Sequence, residues 1–149
     1  MKVVIQRVQH ASVVVDGQLV SEIGNGMMVL HGVEVGDTEK DLQYLLKKTI
    51  NLRIFDDAQG VMNESILQHG GEILCVSQFT LLADTHKGNR PSYIKAECPE
   101  ISQPMYDRFC QLLGENLGKP VQKGIFGADM KVTLLNDGPV TVIMDSKNR

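Results

Sequence analysis

The sequence predicts an α/β fold, a single compact layered domain spanning residues 1–149 and built from mixed and antiparallel β-sheets, barrel-like, with about two main helices. Three observations predict it. Short runs rich in β-branched residues are separated by Gly, Asp and Asn turn signals. The apolar period changes to a helical one in only two places, near Thr38 and near Ser102. Finally, the 149 residues are 42% apolar but only 5% aromatic, with no Trp, so the core must be built from Val, Ile, Leu and Met.

Each element follows from local chemistry. Val3–Val8 and Ser12–Val15 read as strands, and Asp16-Gly17 is a two-residue hairpin signal leading into Gln18–Ile23. After Gly24-Asn25-Gly26, the apolar run Met27–His31 suits a strand buried on both faces. Leu42, Leu45, Leu46 and Thr49 recur at helical spacing behind Thr38-Glu39-Lys40-Asp41, a capping box with Asp as the reciprocal acceptor. Leu52–Phe55 returns to strand chemistry before the turn Asp56–Gly60. Gly70-Gly71 precedes a strand at Glu72–Val76, and Ser77–Leu82 continues its alternation. A second helix is expected from Ser102, with Pro104 in its first turn and Met105, Phe109, Leu112 and Leu113 on one face, ending at Gly114 or Gly118. Lys131–Leu135 and Val140–Met144 read as two strands separated by a turn, Asn136-Asp137-Gly138-Pro139.

Composition excludes several function classes. A formal net charge of −3 provides no overall basic surface for gripping nucleic acid, so only a local contact is expected and no DNA partner. Cys75, Cys98 and Cys110 are odd in number and lack metal-binding spacing, which suits free thiols in a reducing cytoplasm. No apolar run is long enough for a membrane span or signal peptide, so a soluble cytoplasmic protein with no membrane partner is expected. His10, His31, His69 and His86 are scattered and read as core or surface residues, so no metal and no cofactor is expected. Phosphate-loop, dinucleotide and nucleophile-elbow motifs are absent.

Two segments stand apart. Ser77-Gln78-Phe79-Thr80-Leu81 gathers three polar side chains around one aromatic, although alternation alone reads it as a strand with one wet face. Asn136-Asp137-Gly138-Pro139-Val140-Thr141 reads locally as a turn, with a cis Gly-Pro bond as the rarer alternative.

Together these segments resemble the bacterial and eukaryotic D-aminoacyl-tRNA deacylase family, whose signatures are SQFTL and NxGPVT. Ile5–Val8, Arg53–Phe55, Lys87–Ser92 and Phe126–Met130 are similar to family segments in family order. Ser77–Thr80 argues against the related proofreaders that carry PQAT there. The resemblance implies a carboxylic ester hydrolase that releases D-amino acids from tRNA, tolerates many D side chains and accepts glycyl-tRNA. It also implies a homodimer in which Gly138 and Pro139 of one subunit enter the other's site as a chiral filter, their carbonyls receiving the substrate ammonium. Arg7 matches the residue that braces the filter, and Met130 packs beside it.

For chemistry, the resemblance points to Ser77, Gln78, Phe79 and Thr80. Thr80 is one candidate nucleophile, but a hydroxyl needs an adjacent base and the sequence supplies none nearby. The favoured expectation is that backbone N–H groups near Phe79 and Thr80 stabilise the oxyanion, that the neighbouring ribose hydroxyl activates water, and that Ser77 and Gln78 position. Lys87, Arg90 and Lys95 are candidates for phosphate contacts with the aminoacylated 3′ end of tRNA. A non-catalytic module binding the tRNA end and a hydrolase of another small acyl ester remain alternatives.

Overall fold

The computed structural model describes residues 1–149. In chain order its elements are β1 (Lys2–Val15), β2 (Gln18–Ile23), β3 (Gly26–Gly32), α1 (Glu39–Asn51), β4 (Phe55–Asp56), β5 (Met62–Glu64), α2 (Ile66–His69), β6 (Glu72–Ser77), a 3₁₀ turn (Phe79–Leu82), α3 (Pro99–Leu117), β7 (Gln122–Lys123) and β8 (Lys131–Asp145). The main sheet runs β2-β1-β3-β6-β7, with β8 paired to the other side of β1. The β1 pairs are antiparallel, whereas β3-β6 and β6-β7 are parallel. Ser21 donates to the Lys123 carbonyl at 2.8 Å, drawing β2 toward β7 and nearly closing the curled sheet. The expected α/β, barrel-like architecture is observed.

Two apolar clusters fill the fold. The larger lies between the sheet and the helices and takes Val3 and Ile5 from β1, Val29 from β3, Leu42 and Leu45 from α1 and Phe109 and Leu113 from α3. The smaller holds Val8, Ala11 and Val13 with Met28, Leu74 and Val76. Each fully buried aliphatic side chain stabilises by about 1.5–3 kcal/mol relative to exposure, so α1 is held by the very stripe that predicted it. Its cap is as expected, with Thr38 N–H donating to the Asp41 carboxylate at 2.9 Å.

The remaining elements depart from expectation for identifiable reasons. The first two expected strands are one 14-residue strand, whose pairing with β8 slips between Gln6 and Val8 and again between Val8 and His10. Of the expected Leu52–Phe55 strand only Phe55 pairs, continuing with Asp56 as β4 against β5. The second helix begins at Pro99, not Ser102, because proline serves well at the first helical position. Pro104 therefore lies in the second turn, where it and Glu100 are both exposed, so the carbonyl it leaves unpaired faces solvent rather than the core. The helix buries Ser102, Tyr106, Phe109, Cys110 and Leu113, with Met105 and Leu112 partly covered, and stops at Gly118.

Two corrections bear on function. The strand-like reading of Ser77–Leu82 fails beyond Ser77, where Gln78 N–H donates to the His31 carbonyl at 2.7 Å and the chain turns into the 3₁₀ element. Gly32 makes room for that turn, since a Cβ there would lie 2.9 Å from the Gln78 carbonyl and 2.7 Å from Leu82 Cδ2. Likewise, Asn136–Pro139 is not a reversing turn between two strands. Both flanks run in the same direction along β1, so Asp137–Val140 is an excursion from a continuous β8 opposite Arg7 alone.

Candidate functional site

A cavity of about 620 Å³ opens where β3, β6, the 3₁₀ turn, the start of α3 and the segment before β8 meet. Ser77, Gln78, Phe79 and Met130, four of the expected site residues, line it. Parallel pairing of β6 on β3 delivers Ser77 to the rim, and the abrupt turn at Gln78 then swings Phe79 outward, 56% exposed. Phe79 meets Tyr93 edge-on with ring centroids 5.0 Å apart. Thr80 lies behind this wall, and its hydroxyl accepts a hydrogen bond from the Gln78 side-chain amide. No carboxylate, imidazole or amine bonds that hydroxyl, so the base a threonine nucleophile needs is missing from its surroundings. A 3₁₀ turn leaves the N–H groups of its first residues, Phe79 and Thr80, without acceptors inside the turn.

The other expected residues form a separate cluster around the β8 excursion. Arg7 is only 8% exposed, because the central strand β1 carries it into the fold. Its Nη1 donates to the Ile54 carbonyl at 2.8 Å and to Asp56 at 3.2 Å, and its Nε donates to the Asp137 carbonyl at 3.3 Å. The neck of the excursion is closed by Asn136, whose amide donates to the carbonyls of Arg7 and Val140 at 3.0 and 3.1 Å. Gly138 has φ +118°, and a Cβ there would lie 2.9 Å from Val140 Cγ2 and 3.1 Å from Arg7 Nη2. The Gly138-Pro139 bond is cis, and both residues are exposed. Neither they nor Arg7 line the cavity of their own chain.

Of the basic loop residues, Lys95 pairs with Asp84 at 3.0 Å, whereas Lys87 and Arg90 form no ion pair. Asp84 is held below its ordinary pKa by the His86 backbone N–H and then by Lys95.

Sequence reasoning missed the residues that complete the cavity, among them His31, Tyr93, Ser102, Tyr106 and Phe126. Phe126 falls in a segment singled out in the sequence, but the others carry no local signal because three separate stretches supply them, β3, the loop at Tyr93 and α3. Tyr106 donates to the Cys75 carbonyl at 2.8 Å, and burial pushes its phenol pKa well up. His31 stacks on Phe109 at 4.5 Å, and burial lowers its pKa to about 3.

That shift has a stability consequence with a definite sign. Between the ordinary imidazole value of 6.5 and about 3, the unfolded chain holds a proton at His31 that the folded chain does not. Stability is therefore complete above this window and declines as pH falls through it, by about 1.4 kcal/mol per pH unit at most. His31→Leu is expected to flatten this acid loss, as read by urea unfolding at pH 4 and pH 7. An equal loss in both proteins would show that His31 is not the titrating group.

Comparison with known proteins places this geometry. The family model described as D-Tyr-tRNA(Tyr) deacylase matches residues 4–145. A D-aminoacyl-tRNA deacylase of Parabacteroides distasonis is 63% identical over 149 residues, covering 100% of this chain and 99% of the relative. One from Flavobacterium psychrophilum is 58% identical with the same coverage. Among solved structures, the c-Myc DNA Unwinding Element Binding Protein superposes with a TM-score of 0.93 at 41% identity, covering 97% of this chain and 98% of that one. A probable eukaryotic D-amino acid tRNA deacylase superposes at 0.82 with 19% identity, covering 96% and 97%, which shows a shared fold. With its SQFTL turn on a cavity wall, its NxGPVT excursion on β8 and a family match spanning nearly its whole length, the chain belongs to the D-Tyr-tRNA(Tyr) deacylase family.

Proposed function

We propose that this chain hydrolyses the ester between a D-amino acid and the terminal ribose of tRNA, accepts glycyl-tRNA, rejects L-aminoacyl esters, and works as a homodimer. The observation that carries this reading is a separation. The SQFTL turn opens on a cavity, whereas Gly138 and Pro139 stand exposed on β8, away from the cavity of their own chain. A second copy supplies what one chain lacks, placing its Asp137–Val140 excursion against the first copy's cavity. β8 suits such pairing, because β1 occupies only one of its edges and its solvent face carries Ile143 at 72% and Leu135 at 49% exposure. A long, apolar edge strand without a partner is a template for association.

In the proposed reaction, water adds to the ester carbonyl carbon and the carbonyl oxygen becomes an oxyanion facing the Phe79 and Thr80 N–H groups. The bond to the ribose oxygen then breaks, that oxygen takes the proton, and D-amino acid and tRNA leave. The neighbouring ribose hydroxyl activates the water, while Ser77 and Gln78 hold the turn and its occupant in place. The Gly138 and Pro139 carbonyls receive the substrate ammonium, with Arg7 bracing the segment through Asp137. Met130 shapes the adjoining wall. Selection by exclusion leaves a D side chain free to vary, and glycine, which has none, also enters. Lys87 and Arg90 contact phosphates of the acceptor end, and such contacts weaken with salt.

Purified protein incubated with D-tyrosyl-tRNA and L-tyrosyl-tRNA, beside an Ile143→Asp variant, tests this. Wild type is expected to release only D-tyrosine. The variant is expected to elute as a monomer and to release neither amino acid. Hydrolysis of both esters by wild type, or full activity in a monomeric variant, would refute the reading.

A further inference from the structure

The solvent face of α1 carries a single sign of charge. Lys40, Tyr44, Lys47, Lys48 and Asn51 follow one another at helical spacing, so they share that face, and the three lysines are exposed. Arg149 folds onto them, its guanidinium 4.2 Å from the centre of the Tyr44 ring, while Lys48 Nζ approaches the same centre to 5.8 Å. Lys2, Arg7, Lys95, Lys123, Lys131 and Lys147 all pair with carboxylates, whereas Lys40, Lys47, Lys48 and Arg149 pair with none. The acids of α1 itself are engaged at its start, where Asp41 closes the cap and Glu39 accepts from Gln43.

In a chain of net charge −3, this is a local concentration of positive charge whose mutual repulsion nothing in the fold relieves. The helix dipole favours Lys48, in the last turn, but does nothing for Lys40 in the first. Tyr44 holds Lys48 and Arg149 in place by cation–π attraction, and an anion beside them would offset their repulsion. Position indicates what kind of anion. Val33 lines the cavity, Val35 N–H donates at 2.9 Å to the carbonyl of Lys95, the neighbour of the cavity residue Ala96, and α1 begins at Glu39. The charged face therefore starts near the cavity and continues for about 20 Å along the 13-residue helix. A polymer with closely spaced phosphates and one end in the cavity matches that layout.

We propose that this face of α1, with Lys40, Lys47 and Lys48 around Tyr44 and with Arg149, binds the phosphate backbone of the tRNA acceptor stem. That the polymer is tRNA rests on the proposed function, whereas the role of the face in gripping a nucleic-acid backbone does not. The contacts are to phosphates alone, so they position the stem without reading its sequence. Lysine suits this role, because its ammonium acts as a point charge on a flexible stem that adapts to the phosphate it meets. The grip adds affinity for the whole tRNA and none for a substrate cut back to its last nucleoside.

The test compares the full chain with a triple variant, Lys40→Gln, Lys47→Gln and Lys48→Gln, and with Arg108→Gln, which removes an exposed cation on α3 that pairs with no carboxylate. Binding of uncharged tRNA is read by fluorescence anisotropy between 50 and 200 mM salt, roughly the range over which phosphate contacts weaken most visibly. The triple variant is expected to bind about tenfold more weakly at the low-salt end and to lose about two units of the log–log salt slope, close to one for each phosphate contact removed. Its melting temperature should be unchanged, and Arg108→Gln should behave as wild type. In turnover, the triple variant should raise KM for D-tyrosyl-tRNA and leave kcat/KM for D-tyrosyl-adenosine at the wild-type value. A wild-type salt slope in the triple variant, or an equal loss in Arg108→Gln, would overturn the proposal even if D-tyrosyl-tRNA is hydrolysed. A polyglutamate peptide that binds as tightly as tRNA would overturn it in favour of an acidic protein partner. Loss of tRNA binding in the triple variant of a protein that hydrolyses neither ester would instead refute the proposed function and leave the face standing.

Discussion

Gly138→Ala is expected to collapse the preference for D- over L-tyrosyl-tRNA by about 10²-fold, the scale of an active-site misplacement near 1 Å. Two effects compel the displacement. At φ +118° an alanine is strained whatever the space, and its Cβ would lie 2.9 Å from Val140 Cγ2 and 3.1 Å from the Arg7 guanidinium. The Val140 side chain cannot yield freely, since it packs against the main core, and Arg7 is pinned by Ile54 and Asp56. The excursion must therefore move. Arg7→Lys should produce a similar loss, because a lysine ammonium cannot reproduce the fork that spans Ile54, Asp56 and Asp137. The measurement is the ratio of kcat/KM for the two esters, which is independent of how much of a destabilised variant is folded. A wild-type ratio in both variants would remove the excursion from chiral selection.

The second large effect lies on the substrate. Removing the ribose hydroxyl beside the ester of D-tyrosyl-tRNA should nearly abolish turnover, by more than the 10²- to 10³-fold typical of one lost oxyanion donor. Thr80→Ala, in contrast, should retain substantial turnover, because the Thr80 backbone N–H survives the substitution. The hydroxyl is engaged by Gln78 and adjoins no base. Its removal should cost only the modest slackening of the turn that follows when Gln78 loses its partner. Single-turnover hydrolysis of the two substrates by the two proteins separates the cases. A dead Thr80→Ala variant that forms no product, with the deoxy substrate still turned over, would restore a threonine nucleophile and discard the ribose mechanism.

Particular residues show which parts of this molecule were legible before folding. Asp16-Gly17, the Thr38–Asp41 cap and the Leu42-Leu45-Leu46-Thr49 stripe act over one to four residues, and each appears where local chemistry puts it. The family signatures likewise drew attention to Ser77–Thr80, of which Ser77, Gln78 and Phe79 line the cavity, and to Gly138-Pro139, whose peptide bond is cis. The cavity was not legible, because His31, Tyr93, Ser102 and Phe126 come from distant points and meet only when β6 docks parallel to β3 and α3 packs over both. His31 in particular reads as one more scattered histidine until its burial and missing partners are seen.

Local sequence determined where the chain turns, where the first helix starts and which faces are apolar, since these depend on backbone preference and side-chain period within a few residues. Tertiary structure decided what two of the most informative segments are. Alternation reads Ser77–Leu82 as a strand, but the His31 carbonyl captures the Gln78 N–H and Gly32 admits the resulting turn. Turn chemistry reads Asn136–Pro139 as a reversal, but β1 pairs with the chain on both sides of it and Arg7 and Asn136 hold the excursion open. In each case a long-range hydrogen bond outweighed a local preference worth about 1 kcal/mol, which no window of neighbouring residues can register.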